Sequence, residues 1–193
     1  MGLFGKIFGN DDIPEVDPLL RRAIEKQKQL RQDEFWKGYA EGYKQLLPKR
    51  FIDKDRNTLM DPKHRYYLMD QIGNIVSFAK DVEYFNNSDN EIWKLGHSLG
   101  ALSAFFKYLD FSGVTRHEII EGKSYTKHDL NDAIRSLDSL ELALKKFRNL
   151  FERYPEVIDA LYKRAVHPMN TAKRPITPSV QERYVKAISV LRR

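Results

Sequence analysis

The sequence contains no cysteine, which excludes disulfides, thiol nucleophiles and cysteine-based zinc sites. No apolar run approaches the roughly 18 residues needed to cross a bilayer. Residues 1–10 are too short and too glycine-broken for a secretory signal, and no small-residue cleavage site follows them. Sustained period-two alternation is missing, as are Asn-Gly and Asp-Gly turns, so nothing announces a β-sheet. None of the 5 histidines has a glutamate three residues before it, which removes the Glu-x-x-His pairs of a di-metal carboxylate bundle. Asp61 with His64 and His128 with Asp132 are isolated pairs, read as ordinary surface groups. A glycine-rich phosphate loop is also absent. Neither a metal nor a cofactor is expected. The lack of cysteine fits a reducing compartment, so the expected location is cytoplasmic, with peripheral association at a membrane.

What is present describes a globular chain. Its 193 residues are 41% hydrophobic and 31% charged, values that suit one domain with a sizeable core. The net charge of +6 is unevenly spread. Residues 145–193 hold 12 Lys and Arg against 4 acidic residues, while the preceding residues hold 21 against 23. A polyanion is therefore sought at the C-terminal quarter.

Helical periodicity dominates. Asp17-Pro18 supplies an N-cap and a first-position proline, followed by Leu20, Ala23, Ile24 and Leu30, then Phe35, Tyr39, Tyr43 and Leu46. The phase slips near Arg31–Asp33, which predicts a bend or two abutting helices. Lys49 to Leu59 reads as a polar loop. Asp61-Pro62 opens a second helix through Leu68, Ile72, Ile75 and Val82. Ser88 with Glu91 forms a capping box for a helix to Asp110, whose stripe is Ile92, Leu95, Leu99, Leu102, Phe106 and Leu109. Thr126 to Glu152 carries Leu130, Ala133, Leu137, Leu140, Leu144, Phe147 and Phe151 in strict three-four alternation, one wall of a bundle. A short helix from Pro155 through Val157, Leu161 and Ala165 precedes an extended linker from His167 to Pro178, and a final helix carries Val180, Tyr184, Ile188 and Leu191. The expected fold is an all-α, single-domain bundle of about five to seven helices. It divides into an N-terminal segment and acidic linker (1–16), the bundle (17–166), and a proline-containing linker with a basic C-terminal helix (167–193).

One motif carries chemistry at face value. Gly96-His97-Ser98-Leu99-Gly100 spells G-x-S-x-G and resembles the nucleophile elbow of α/β-hydrolases, a resemblance that covers five residues and a small-residue tail, Ala101 and Ala104. That family places the serine on a strained turn between a strand and a helix, which would make Ser98 the nucleophile of a serine hydrolase. Here the helical phase passes through the motif without a slip, and the parallel sheet is missing. The packing reading explains more residues. Gly96, Gly100 and Ala104 recur every four positions and make a groove for close helix approach. Gly38 and Gly42 have the same spacing and are candidate partners, with no sequence signal pairing them. On such a helix His97 and Ser98 fall on the flank or toward solvent.

Two further features bear on function. Leu3, Phe4, Ile7 and Phe8 form an amphipathic patch too short to hold a helix in water. It needs a surface, either this chain's own core or a membrane or partner. Gly2 lacks the Ser or Thr that N-myristoylation expects, since Lys6 stands there. The basic set, Lys145, Lys146, Arg148, Lys163, Arg164, Lys173, Arg174, Arg192 and Arg193, is either a solvated face or a polyanion-binding surface, with Tyr154, Tyr162 and Tyr184 interspersed. The expectation is a non-enzymatic assembly or adaptor protein, docking on an anionic membrane or a partner through these two features. A nucleic-acid-binding helical protein is the alternative and a serine hydrolase the weakest reading. A protein partner or a homo-oligomer is expected, and no small-molecule substrate is inferred.

Overall fold

The computed structural model describes residues 14–46, 52–53, 58–59, 88–109, 127–171 and 178–193. Within them the chain is an all-α bundle of 6 α-helices. The expected helix over 61–85 and the N-terminal patch Leu3, Phe4, Ile7 and Phe8 lie outside the described residues.

Helix α1 (Pro18–Glu25) begins where Asp17 caps it, its Oδ1 accepting from the backbone N–H of Leu19 at 2.9 Å and of Leu20 at 3.4 Å. Leu20, Ala23 and Ile24 face the core. The chain then turns, and α2 (Gln32–Leu46) starts afresh, so the phase slip is a break between two helices. Leu30 is buried in the turn between them, beyond the end of α1. Gln32 holds this corner. Its side-chain amide donates to the carbonyls of Ile24 at 3.2 Å and Gln27 at 3.4 Å, while its Oε1 accepts from Trp36 Nε1 at 3.1 Å. Both carbonyls also accept backbone N–H groups, Ile24 from Gln27 at 2.9 Å and Gln27 from Leu30 at 3.0 Å, so Gln32 adds a second donor to each. Residues 49–59, read as a loop, contain a minimal antiparallel pairing of Ile52 with Leu59 and Asp53 with Thr58.

Helix α3 (Ser88–Tyr108) is the centre of the molecule, with every residue from Lys94 to Phe106 buried. It makes its most extensive contact with α2. Helix α4 (Lys127–Leu150) buries Leu137, Leu140, Ala143, Leu144 and Phe147, and Phe147 stacks on Phe151 with centroids 4.3 Å apart. Helix α5 (Pro155–Asn170) packs on α1 and α3, and α6 (Pro178–Ser189) packs on α4 before ending in a 3₁₀ turn, Val190–Arg192. One core cluster joins all of them.

The expected division at residue 167 falls inside a helix. Helix α5 continues through Pro168 to Asn170, and Thr171 closes it by donating its N–H and its hydroxyl to the carbonyl of His167 at 3.1 and 3.0 Å. Proline forfeits one helical hydrogen bond and crowds the preceding turn. Near the helix end that loss is small, and burial of Pro168 offsets it. The C-terminal helix is likewise part of the core, since Val180, Tyr184, Ala187, Ile188, Val190 and Leu191 are all buried. Tyr184 donates its hydroxyl to the carbonyl of Ala165 at 2.6 Å. Arg183 ties α6 to α4 through Asp138 and, at 2.6 Å, Glu141.

Candidate functional site

The G-x-S-x-G stretch sits in the middle of α3 as uninterrupted helix. The described residues that lead into it from Ser88 are helical, so no strand-to-helix corner presents Ser98, which is 4% exposed. The Ser98 hydroxyl makes no hydrogen bond, to a histidine or otherwise. The expected flank or solvent position of His97 and Ser98 is corrected here. Helix α3 is surrounded on all sides, so both residues are buried. The His97 Nε2–H donates to Gln45 Oε1 at 2.7 Å, and its ring lies 5.0 Å from that of Trp93. Burial lowers its pKa to about 4, so the imidazole is neutral at pH 7.

The glycines meet. A Cβ on Gly38 would stand 2.0 Å from the carbonyl oxygen of Trp93, and one on Gly42 would stand 2.1 Å from that of His97. Reciprocally, a Cβ on Gly96 would lie 2.0 Å from the Phe35 oxygen and one on Gly100 2.1 Å from the Tyr39 oxygen. Each glycine of one helix opposes a carbonyl of the other in a repeating register. The register rises along both chains, so α2 and α3 run in the same direction. Backbone-to-backbone approach of this kind leaves room for hydrogen alone and suits weak Cα–H···O contacts. Ala104, the third small residue on α3, is fully buried. The chemistry of GHSLG is therefore packing chemistry.

The basic set does not form one surface. Lys145 pairs with Glu141 at 2.8 Å, and Lys163 pairs with Asp159 at 2.6 Å. Glu141 is held below the usual carboxylate range by the hydrogen bond from Lys145, which together with Arg183 outweighs the opposing desolvation. Lys146 is half-buried on α4. Arg164 points elsewhere, into the space between α1 and α5, with its Nε 3.8 Å from Asp17 Oδ2. Lys173 and Arg174 lie outside the described residues.

Arg148, Arg192 and Arg193 do come together. They line one cleft of about 430 Å³ where the end of α4, the start of α5 and the terminal 3₁₀ turn converge. Arg192 stacks over Tyr162, its guanidinium carbon 4.0 Å from the ring centroid. That contact fixes the cation's position without neutralising it. Among the described residues none of the three arginines has a carboxylate within ion-pair distance, although Glu152 and Asp159 also line the cleft. Pro155 opens α5 at the same place, so a helix N-terminus adds a partial positive charge. This arrangement can hold an anionic group.

Sequence reasoning did not find a second cleft, in which Arg164 meets Tyr39, Ser103 and Lys107. Its residues come from four helices and the segment before α1, and no spacing along the chain signals it. Among the described residues no cluster of three potential metal ligands exists, and no helix is long and apolar enough to cross a membrane. Comparison with protein-family models, with curated proteins and with solved structures finds no match to this chain.

Proposed function

We propose that this chain is a non-enzymatic helical adaptor that docks on an anionic membrane surface. The observation that carries the reading is the convergence of Arg148, Arg192 and Arg193 on one cleft without acidic ion-pair partners among the described residues. Tyr162 supports it, because an aromatic ring beside cations suits an interfacial position. Leu3, Phe4, Ile7 and Phe8 supply the apolar signal from the sequence. Two weak signals together anchor a protein where one does not. Each arginine near an anionic surface contributes about 1 kcal/mol.

Co-sedimentation of the full chain with vesicles tests this. Binding is expected to vesicles containing phosphatidylserine, to be weak on neutral phosphatidylcholine, and to fall with added salt. Replacing Arg148, Arg192 and Arg193 together by alanine is expected to weaken it about a hundredfold, and deleting residues 1–9 to weaken it further. Binding that is indifferent to the three substitutions overturns the reading. A salt-sensitive gel shift with nucleic acid and no vesicle binding would replace it with the nucleic-acid alternative.

A further inference from the structure

The second cleft holds about 240 Å³ between the segment entering α1, the middle of α2, the end of α3 and the end of α5. Two of its polar groups, the hydroxyls of Tyr39 and Ser103, lack what burial normally demands, and the partly buried Arg164 lies beside them. The Arg164 side chain is only 13% exposed, and its nearest acidic oxygen, on Asp17, is 3.8 Å away, beyond hydrogen-bond reach. A guanidinium carries five N–H donors, and taking it from water without hydrogen bonds is costly. Tyr39 is 0% exposed, and its hydroxyl has no hydrogen-bond partner. Ser103, 5% exposed, is in the same condition. The two hydroxyls are neighbours, close enough for Ser103 to favour the phenolate slightly, yet neither reaches hydrogen-bonding geometry with the other. Burial raises the Tyr39 phenol to about 12, so it stays protonated and able to donate.

The charges at the cleft are arranged for exchange. Lys107 pairs with Glu15 Oε2 at 3.2 Å, and the Glu15 side chain is otherwise 78% exposed. Asp17 caps α1 through its Oδ1 and leaves its Oδ2 3.8 Å from Arg164 at the edge of the cleft. The site thus offers two cations and two hydroxyls beside two carboxylates, Asp17 near Arg164 and the loosely held Glu15 on Lys107. Its volume falls below the roughly 300–1,000 Å³ of pockets for drug-sized ligands, which selects a small group.

The geometry points to a binding site for a small soluble oxyanion, a phosphate or the phosphate group of a small metabolite, held by Arg164, Lys107, Tyr39 and Ser103, with Glu15 as the internal carboxylate it displaces. Arg164 supplies a fork that matches a tetrahedral oxyanion. Tyr39 and Ser103 line the same cleft and supply further hydroxyl donors. The inference goes beyond the membrane reading and uses none of the three arginines on which that reading rests. It also departs from the sequence-based expectation of no small-molecule ligand.

The test is a calorimetric titration of the full chain with inorganic phosphate, accompanied by thermal unfolding in phosphate and in chloride at matched ionic strength. Saturable binding and a saturable rise in Tm are expected with phosphate alone. Tyr39→Phe and Arg164→Lys are each expected to weaken binding about tenfold or more, as loss of a hydrogen bond to a charged group does. Tyr39→Phe without phosphate is expected to melt no lower than the wild type, because the lost hydroxyl has no partner. Glu15→Gln is expected to tighten binding by up to about fivefold, the worth of an exposed ion pair. The variant lacking Arg148, Arg192 and Arg193 keeps the phosphate response, which separates this site from the vesicle-binding surface. No saturable response in the wild type overturns the site and leaves ordered water as the partner of these groups. An equal response in Tyr39→Phe and Arg164→Lys overturns it too. A Tyr39-dependent response to phosphatidic acid vesicles without one to inorganic phosphate refutes a soluble ligand.

Discussion

His97 shows how a single residue ties burial to pH. Its folded pKa is lowered to about 4 by burial, against about 6.5 in an unfolded chain. Between those values the unfolded state binds more protons than the folded one, so stability falls as pH falls. The contribution is complete above about pH 6.5, declines through the window down to about pH 4, and amounts to about 2 kcal/mol lost at pH 5. Urea unfolding at pH 7.5 and pH 5 checks this: His97→Gln is expected to shrink the difference between the two pH values, and an unchanged difference assigns the acid sensitivity to other groups. The sequence carried the identity of this residue but not its setting. A histidine between Gly96 and Ser98 gives no sign of lying under Gln45, because Gln45 belongs to a helix more than forty positions away.

At the scale of elements, the local signals were the legible ones. Asp17-Pro18 marks the start of α1, the phase slip at Arg31–Asp33 marks the break before α2, and the leucine-phenylalanine stripe marks α4. Each is a short-range effect of capping or periodicity, which acts through neighbours in the chain. Where a tertiary contact decides, the sequence misleads. Pro168 reads as a helix terminator, yet α5 passes through it because its ring is buried against the core. Gln32 looks like any exposed polar residue, while in the fold it pairs the carbonyls of Ile24 and Gln27 and accepts from Trp36. Gln32→Ala is therefore expected to cost about 1–2 kcal/mol by leaving the buried Trp36 Nε1–H unmet. Denaturant unfolding measures it, and a loss below about 0.5 kcal/mol, typical of plain surface changes, would mean that water replaces the amide at no cost.

The whole molecule is organised around the crossing of α2 and α3. Small residues at four-residue spacing were visible on both helices, Gly38 with Gly42 and Gly96 with Gly100, but which stripe meets which is a property of the assembled bundle. The candidate sites follow the same division. The basic composition of residues 145–193 was plain in the sequence. Its partition into ion pairs with Glu141 and Asp159, a three-arginine cleft and the separate position of Arg164 required the helices to be placed. GHSLG is the surface by which α3 meets α2. That role is tested most directly by urea unfolding of Gly96→Ala beside Ser98→Ala. An alanine in a helix interior normally gains about 1 kcal/mol over glycine, but here its Cβ would stand 2.0 Å from a backbone oxygen that cannot rotate away. Gly96→Ala is expected to lose about 3 kcal/mol through overpacking, while Ser98→Ala, which removes a hydroxyl with no hydrogen bond, is expected to change stability by no more than about 1 kcal/mol. A Gly96→Ala protein as stable as the wild type, or more so, would contradict that role.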